Sequence, residues 1–182
     1  MGDIRQDPAG ELFRLRENAG GSTILGAELS AGYRFAERVR GTLGVAYLHA
    51  RYADPQLVFD DGQSRIIVRD YLKSPRLSAV AQLIADPIEQ LTTYLALRHT
   101  GRMTVLNNRV GSVKRTPRFL IADLTVTRHV HVGAGEVDLS VGIKNLFDAR
   151  QRDVERGAAR DSDYVYGPRL PRTLFIRLDA AF

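Results

Sequence analysis

The sequence predicts an all-β protein that folds as an antiparallel up-and-down meander. Residues 137–144 alternate apolar and polar side chains at every step, and residues 174–182 alternate again, with Arg177 and Asp179 on the face opposite Leu174, Ile176 and Leu178. A period of two is typical of a strand with one apolar and one polar face. No window keeps a helical period for long, and short connections alternate with long ones between the strand-like segments. These three observations predict the fold class.

Along the chain, the alternation predicts about seven strands and a stub. The first strand covers 11–35, or two pieces broken near 18–21, and the second covers 42–52. A polar connection at 53–74 leads to a strand at 75–85, and Asp86 and Pro87 form a predicted tight turn. Further strands are predicted at 91–98, 120–127, 137–144 and 174–182. Short turns follow Phe35, Ala85 and Val130, whereas long loops follow Tyr52, Val105 and Phe147, so the short connections all lie at one end.

Charge placement favours a membrane barrel, in which lipid lies on one side of each strand and a polar lumen on the other. An Arg or Lys that faces mid-bilayer lipid costs roughly 2–4 kcal/mol in such barrels. Arg51 and Arg128 fall on the apolar face, but near strand ends, where a long side chain reaches the interface. A soluble β-sandwich is the alternative. Seven charged residues are predicted to face the lumen: Glu28, Arg34, Asp123, Asp138, Lys144, Arg177 and Asp179.

Aromatic side chains near the strand ends suggest two girdles at the membrane interfaces. Tyr33, Phe35 and Phe182 fall at the predicted turn end of the strands, and Tyr52 and Phe147 at the loop end. The sequence therefore predicts an aromatic band at each end of the sheet.

Composition excludes several other classes of protein. The chain has 182 residues, no cysteine and no apolar run long enough for a membrane-spanning helix. The net charge of +5 comes from basic residues that are scattered among acidic ones, which argues against a nucleic-acid partner. No nucleophile motif, phosphate-binding loop or histidine–carboxylate pairing is recognisable, so we expect neither an enzyme nor a cofactor.

Two weak metal-site candidates occur in the sequence, and one of them, Asp60-Asp61, lacks the alternating oxygen ligands of a calcium loop. His129 and His131 share a face of one strand, but no carboxylate or third histidine is close in sequence. His49 and His99 fall near strand ends and are interpreted as interfacial. We therefore predict no metal site from the sequence.

Four sequence motifs follow one another over nearly the whole chain. They are Asn18-Ala19-Gly20 with Gly26-Ala27-Glu28, Asn145-Leu146-Phe147-Asp148, Tyr166-Gly167-Pro168-Arg169 with Pro171-Arg172-Thr173, and the terminal Phe182. In this order and at these spacings, they resemble the motifs of the TonB-dependent outer-membrane receptors, which import ferric siderophores, haem or cobalamin.

The resemblance implies that residues 1–182 form the C-terminal segment of a transmembrane β-barrel, about seven or eight strands of about 22. The plug domain and signal peptide of such a receptor are expected to be absent from this chain. The implied location is the outer membrane of a Gram-negative cell. The implied partners are outer-membrane lipid and lipopolysaccharide, a plug domain that meets the lumenal charges, the TonB complex, the barrel-assembly machinery and a ferric siderophore or similar chelate. The implied assembly signal comprises Leu174, Ile176, Leu178 and Phe182.

A free-standing eight-stranded outer-membrane barrel with a structural or adhesive role is the alternative. Small barrels fill their interior with side chains, whereas many inward positions here are small. Small residues suit a wide lumen that something else occupies. These positions are Gly26, Ser30, Gly32, Gly44, Ala46, Ser140 and Gly142.

The long loop after residue 148 is the predicted ligand site. Its basic and phenolic side chains can donate hydrogen bonds to an anionic ferric chelate. A solvated loop that meets lipopolysaccharide phosphate is the other interpretation. The predicted ligand-binding residues are Arg150, Arg152, Arg156, Arg160, Tyr164 and Tyr166.

Overall fold

The computed structural model describes residues 4–6, 12–14, 20–133, 135–157 and 160–181. The described residues form strands and one short 3-10 helix at Ser162–Tyr164, and none of their helices is long and apolar enough to cross a membrane. The strands are β1 (Ile4–Gln6), β2 (Leu12–Arg14), β3 (Ser22–Ala36), β4 (Val39–Asp60), β5 (Arg65–Asp70), β6 (Leu77–Ile88), β7 (Leu91–Thr100), β8 (Thr104–Asn107), β9 (Ser112–Arg115), β10 (Phe119–Val132), β11 (Gly135–Lys144) and β12 (Thr173–Ala181).

The main sheet has eight strands in the order β12-β11-β10-β7-β6-β4-β3, with β5 added alongside the outer part of β4. Every pairing in it is antiparallel. Two-residue connections join β3 to β4, β6 to β7 and β10 to β11, and all three lie at one end, the turn end. The connections 61–76, 101–118 and 145–172 lie at the opposite end, the loop end. The predicted all-β meander is thereby confirmed.

Cross-strand register gives the sheet two chemically different faces. Because directly opposed residues share a face, Leu29, Val45 and Ala79 belong to one stripe of the apolar face. Nothing among the described residues covers this face: Leu29 is 72% exposed and Ile176 is 78% exposed. The other face, the polar face, carries all seven charged residues from Glu28 to Asp179 that the sequence assigned to a lumen.

The register changes one part of the predicted aromatic bands. Tyr52 lies opposite Ser22 and so belongs to the polar face, where its ring stacks on Tyr71 at 4.3 Å. At the turn end, Tyr33 and Phe35 lie on the apolar side with their rings 5.2 Å apart. Phe182 lies outside the described residues. The aromatic band at the turn end is therefore seen in part. Tyr52 does not contribute to the predicted band at the loop end.

Two predicted boundaries were wrong. Strand β4 has 22 residues and continues into a hairpin with β5, where the sequence predicted a polar connection at 53–74. Asp61 starts the turn of this hairpin, since its carboxylate accepts hydrogen bonds from the amides of Gln63 and Ser64. Asp86 and Pro87 lie within β6 at an irregularity in the ladder, which is a position that tolerates proline.

Most of the buried residues lie at the loop end, and the others, which lie within the main sheet, have small side chains: Ala96, Ala122 and Ser140. Hairpin β8–β9 packs against the 3-10 helix and buries Val105 completely, together with Met103 and Tyr164. Phe119 is also buried there, and its ring lies 6.1 Å from that of Tyr166. The loops thus form a folded layer with an apolar centre, which we call the loop cap (residues 101–118 and 145–172).

Candidate ligand-binding site

Asn145 anchors the start of the long loop (residues 145–172). Its backbone has φ 51°, a left-handed conformation that asparagine tolerates better than most residues. Its buried side chain accepts a hydrogen bond from the Ala149 amide at 2.9 Å and donates to the carbonyls of Ala149 at 3.0 Å and Leu170 at 2.9 Å. Its own amide donates to Asp123 on β10 at 2.8 Å. One side chain therefore ties the start of the loop to its end and to the sheet.

Asp148 and Gln151 extend this scaffold. Asp148, with φ 51°, accepts a hydrogen bond from the Arg172 amide at 3.1 Å and pairs with Arg150. The Gln151 amide group donates to the Tyr164 carbonyl at 3.1 Å, and its oxygen accepts from the Tyr166 amide at 2.9 Å. These hydrogen bonds join the first residues of the loop to its last ones. The basic residues between them are therefore held on a defined backbone.

Asp153 is the centre of the polar network of the cap. Its carboxylate accepts hydrogen bonds from Lys114 on β9, from the Tyr164 hydroxyl at 2.8 Å and from the Tyr166 hydroxyl at 2.5 Å. Burial alone would raise the pKa of Asp153, but these three donors outweigh it and hold the pKa well below its usual range. Burial and the bond to Asp153 raise the pKa of Tyr166. The cluster therefore carries one carboxylate, one ammonium and two neutral phenols at neutral pH.

We expect Asp153→Asn to loosen the cap by about 1–3 kcal/mol at neutral pH, because the amide cannot accept three hydrogen bonds. Since the folded pKa is depressed, the carboxylate contributes fully above the ordinary value of 3.8, and its contribution is lost as the pH falls through the folded pKa. Hydrogen exchange of residues 145–172 at neutral pH measures the first effect. Near-ultraviolet circular dichroism of the tyrosines during acid titration measures the second. If the circular dichroism of Asp153→Asn changed below pH 4 as much as that of the wild type, Asp153 would not be the titrating group.

A cleft of about 790 Å³ opens beside this network at the loop end. Four cationic side chains line it, against the two carboxylates of Asp148 and Asp153, so its local formal charge is positive. The rings of Phe119, Phe147 and Tyr166 supply apolar and aromatic walls. A cleft of this composition suits an anionic ligand with flat aromatic groups. The cationic residues are Lys114, Arg118, Arg150 and Arg152.

A smaller cleft of about 300 Å³ lies on the other side of hairpin β8–β9. Arg76, Arg102 and Arg115 line it, and Asp70 pairs with Arg76 at 3.2 Å. Its floor includes Leu48 on the polar face of the sheet. Basic residues thus surround the hairpin on both sides.

The structure brings together only some of the six residues predicted to bind a ligand. Arg150, Arg152 and Tyr166 line the larger cleft. Tyr164 is 6% exposed and lies in the apolar centre of the cap. Arg156 and Arg160 are exposed and do not line the cleft. Sequence reasoning missed Lys114 and Arg118, although a basic segment at 114–118 was visible; the signal was weak because this segment is distant from the long loop in sequence.

The seven charged residues of the polar face differ in their partners. Asp123 pairs with Arg98 at 2.8 Å, and Arg177 pairs with Asp179 at 2.6 Å. The Lys144 ammonium lies 5.5 Å from the centre of the Phe175 ring. Glu28 and Arg34 are exposed on β3, and Asp138 contacts His129. The face is therefore highly charged, and ion pairs within the sheet compensate part of this charge.

The residues predicted to form an assembly signal lie on an edge strand. Leu174, Ile176 and Leu178 project from the apolar face of β12 and are highly exposed. Phe182, the fourth of them, lies outside the described residues, as do Asn18 and Ala19 of the first sequence motif.

No family model and no curated protein matches the chain. Solved structures resemble it, two ferric-chelate receptors among them. The ferric-catecholate import receptor Fiu from Escherichia coli K12, in a closed form, has a TM-score of 0.64 and 18% identity over 98% of this chain. A mutant of the ferric enterobactin receptor PfeA from Pseudomonas aeruginosa, in complex with enterobactin, has a TM-score of 0.59 and 16% identity over 94% of this chain.

These two structural neighbours are receptors and not enzymes. The chain spans 23% of the first neighbour and 24% of the second, so the likeness concerns about a quarter of each. The similarity to such receptors that the sequence predicted is confirmed at the level of the fold. The chain has the fold of one segment of the barrel of these ferric siderophore receptors.

Proposed function

We propose that residues 1–182 form the C-terminal barrel segment of an outer-membrane receptor for TonB-dependent uptake of an anionic metal chelate, most simply a ferric siderophore. The cationic cleft carries this proposal, because it lies at the loop end of a sheet with a receptor-barrel fold. Arg150, Arg152, Arg118 and Lys114 supply the donors, and Tyr166 and Phe119 supply the aromatic walls. Both structural neighbours carry a ferric catecholate or ferric enterobactin in their names, which are ligands of this chemistry.

The two faces of the sheet support the membrane part of the proposal. A continuous apolar face, more than half exposed at Leu29, Tyr33 and Ile176, is suited to contact with lipid acyl chains. The polar face then lines the lumen, where a plug domain contacts it in the complete receptor. In this orientation the long connections are extracellular, close to lipopolysaccharide, and the two-residue turns are periplasmic.

Strand parity favours a segment of a larger barrel over a free-standing small barrel. Seven strands of the described part cross the sheet from end to end, and both edge strands, β3 and β12, run from the loop end to the turn end. Closure of these seven strands would pair β3 with β12 in parallel, whereas bacterial single-chain barrels have even numbers of antiparallel strands. Additional strands from the rest of a receptor provide antiparallel partners for both edges. The exposed residues Leu174, Ile176 and Leu178, with Phe182, would serve the barrel-assembly machinery.

The charge of the cleft gives a direct test in the full-length receptor. We expect Arg152→Glu to weaken binding of ferric enterobactin about tenfold, or about 1.4 kcal/mol, because it places a carboxylate next to an anionic ligand. Arg156→Glu is the matched control: it makes the same charge change in the same loop, outside the cleft. Equal weakening in both variants would indicate a long-range field and not a binding site.

Transport itself is tested by uptake of radiolabelled ferric enterobactin in cells with and without a working TonB system. The proposal predicts uptake that requires both this protein and TonB, and that falls in the Arg152→Glu strain. Uptake that persists without TonB would contradict the energy coupling. If the 182-residue chain instead refolds alone in detergent and migrates anomalously on unheated gels, the free-standing barrel would replace this proposal.

A further inference from the structure

Hairpin β10–β11 brings two histidines and two carboxylates together near the turn end of the polar face. In its register, His129 lies directly opposite Asp138, and His131 lies directly opposite Glu136. The two histidines alternate with valines along β10, so both project to the same side. The sequence alone does not show which carboxylate lies beside which histidine. The register of the hairpin decides this.

A chain of hydrogen bonds positions His129 from four neighbouring strands. Arg40 donates to Asp86 at 3.0 Å, and the Thr92 hydroxyl donates to the other oxygen of Asp86 at 2.9 Å. The same hydroxyl lies 3.1 Å from His129 Nε2, and His129 Nδ1 lies 2.7 Å from Asp138 Oδ1. The imidazole is therefore held between Thr92 and Asp138, with its orientation set by both ring nitrogens.

The two ring nitrogens of His129 face different partners. The Thr92 hydroxyl donates to the carboxylate of Asp86, so its oxygen is placed to accept from His129 Nε2–H. His129 Nδ1 then faces the carboxylate of Asp138 at 2.7 Å. This ring nitrogen and the carboxylate are thus close enough for one metal ion to be bound by both.

Glu136 adds a second carboxylate to this pair. One ligand atom each of His129, Glu136 and Asp138 lies within 4.8 Å of the others. The three side chains therefore offer one nitrogen and two carboxylate oxygens to a single ion. No donor among the described residues is hydrogen-bonded to Glu136, while Asp179, opposite Asp138, is already paired with Arg177. The exposed carboxylate of Glu136 is thus accessible to a metal ion.

We propose that hairpin β10–β11 binds a divalent transition-metal ion through His129 Nδ1, Asp138 and Glu136. Imidazole and carboxylate ligands suit zinc and ferrous iron. The three ligand atoms lie within 4.8 Å of one another, and a tetrahedral zinc with bonds of about 2.0–2.2 Å holds its ligands about 3.4 Å apart. Thr92 is a positioning residue, because it holds the other ring nitrogen, as partners of metal-binding histidines commonly do.

The site depends only on the hairpin and its immediate neighbours, so it does not rest on the proposed transport function. Zinc chloride is titrated by calorimetry into the full-length protein in detergent, after removal of metals with a chelator. Cobalt(II) absorption then reports whether nitrogen and oxygen ligands coordinate the ion. We expect one equivalent of zinc to bind to the wild-type protein.

Three variants test the ligands and the positioning residue, and a fourth is the control. His129→Ala and Glu136→Gln should weaken zinc binding at least tenfold, and Thr92→Val should weaken it about tenfold and change the cobalt spectrum. Glu136 is exposed, so its variant tests the site even if His129→Ala impairs folding, which far-ultraviolet circular dichroism checks. His99→Ala is the control, because His99 lies on the apolar face near the loop end. The zinc affinity of this variant should equal that of the wild type.

Two results would overturn the inference. The first is a wild-type protein that binds neither zinc nor cobalt. The second is unchanged zinc affinity in both the His129→Ala and the Glu136→Gln variants, which would place any bound ion elsewhere. A wild-type protein that binds zinc but supports no TonB-dependent uptake of ferric enterobactin would contradict the transport proposal alone.

Discussion

Val45→Arg should destabilise the membrane-embedded protein by about 2–4 kcal/mol, the cost of a cationic side chain facing mid-bilayer lipid. Val45 lies near the middle of the part of β4 that crosses the sheet, opposite Leu29 and Ala79 on the apolar face. An arginine there reaches neither interface easily and has no carboxylate opposite it. The free energy of unfolding of the full-length protein, measured with denaturant in lipid vesicles, gives the size of the effect.

Gly44→Arg is the matched control, because it introduces the same residue one position earlier on the opposite face. A Cβ added at Gly44 meets no heavy atom within 4 Å, so the new side chain enters open space on the polar face. We expect a change of less than about 1 kcal/mol, since loss of a strand glycine offsets part of any cost. A tolerated Val45→Arg together with a disruptive Gly44→Arg would reverse the assignment of the two faces.

Asn145→Ala is the second change with a large expected effect. It removes three side-chain hydrogen bonds of a buried residue and places an alanine at φ 51°. Unpaired buried groups and left-handed backbone together cost about 2–4 kcal/mol. Because Asn145 joins both arms of the long loop, we expect residues 145–172 to lose protection in hydrogen exchange while β6 and β7 stay protected.

Two further variants separate the causes of this effect. Asn145→Gly keeps the backbone conformation but loses the hydrogen bonds, so it should recover the part of the stability that is lost to backbone strain. Phe147→Ala changes the same motif at a side chain that is 56% exposed, and should leave loop protection nearly unchanged. Equal loss in the Asn145→Ala and Phe147→Ala variants would show that Asn145 has no special structural role.

The binding proposal and the metal site respond to different substitutions. Arg152 lies at the loop end and His129 near the turn end of the sheet. A variant that alters chelate binding should therefore leave zinc binding unchanged. A variant that alters zinc binding should likewise leave chelate binding unchanged. This independence lets each proposal fail without the other.

Much of the fold was predictable because its causes are local. A strand alternates its side chains with a period of two, so the segments around Val141 and Ile176 showed their faces without knowledge of a partner. Glycine, proline and polar residues marked which connections were short and which were long. The placement of Asp123, Asp138 and Arg177 on one face followed from the same counting. The hairpin of β4 and β5 was missed because its polar residues resemble those of a loop, and pairing with β4 is what makes the segment a strand.

The sites depended on contacts between distant segments, which no local pattern records. The cleft joins Lys114 and Arg118 to Arg150 and Arg152, and the folding of the long loop around Asp153 decides which arginines line it. His129 met its carboxylate only through the register of β10 against β11. A shift of one residue in that register would move Asp138 to the apolar face, because successive side chains of a strand point to opposite sides. Alternation along a strand is set by backbone geometry at each residue, whereas register and loop packing are set by the free energy of the whole assembled layer.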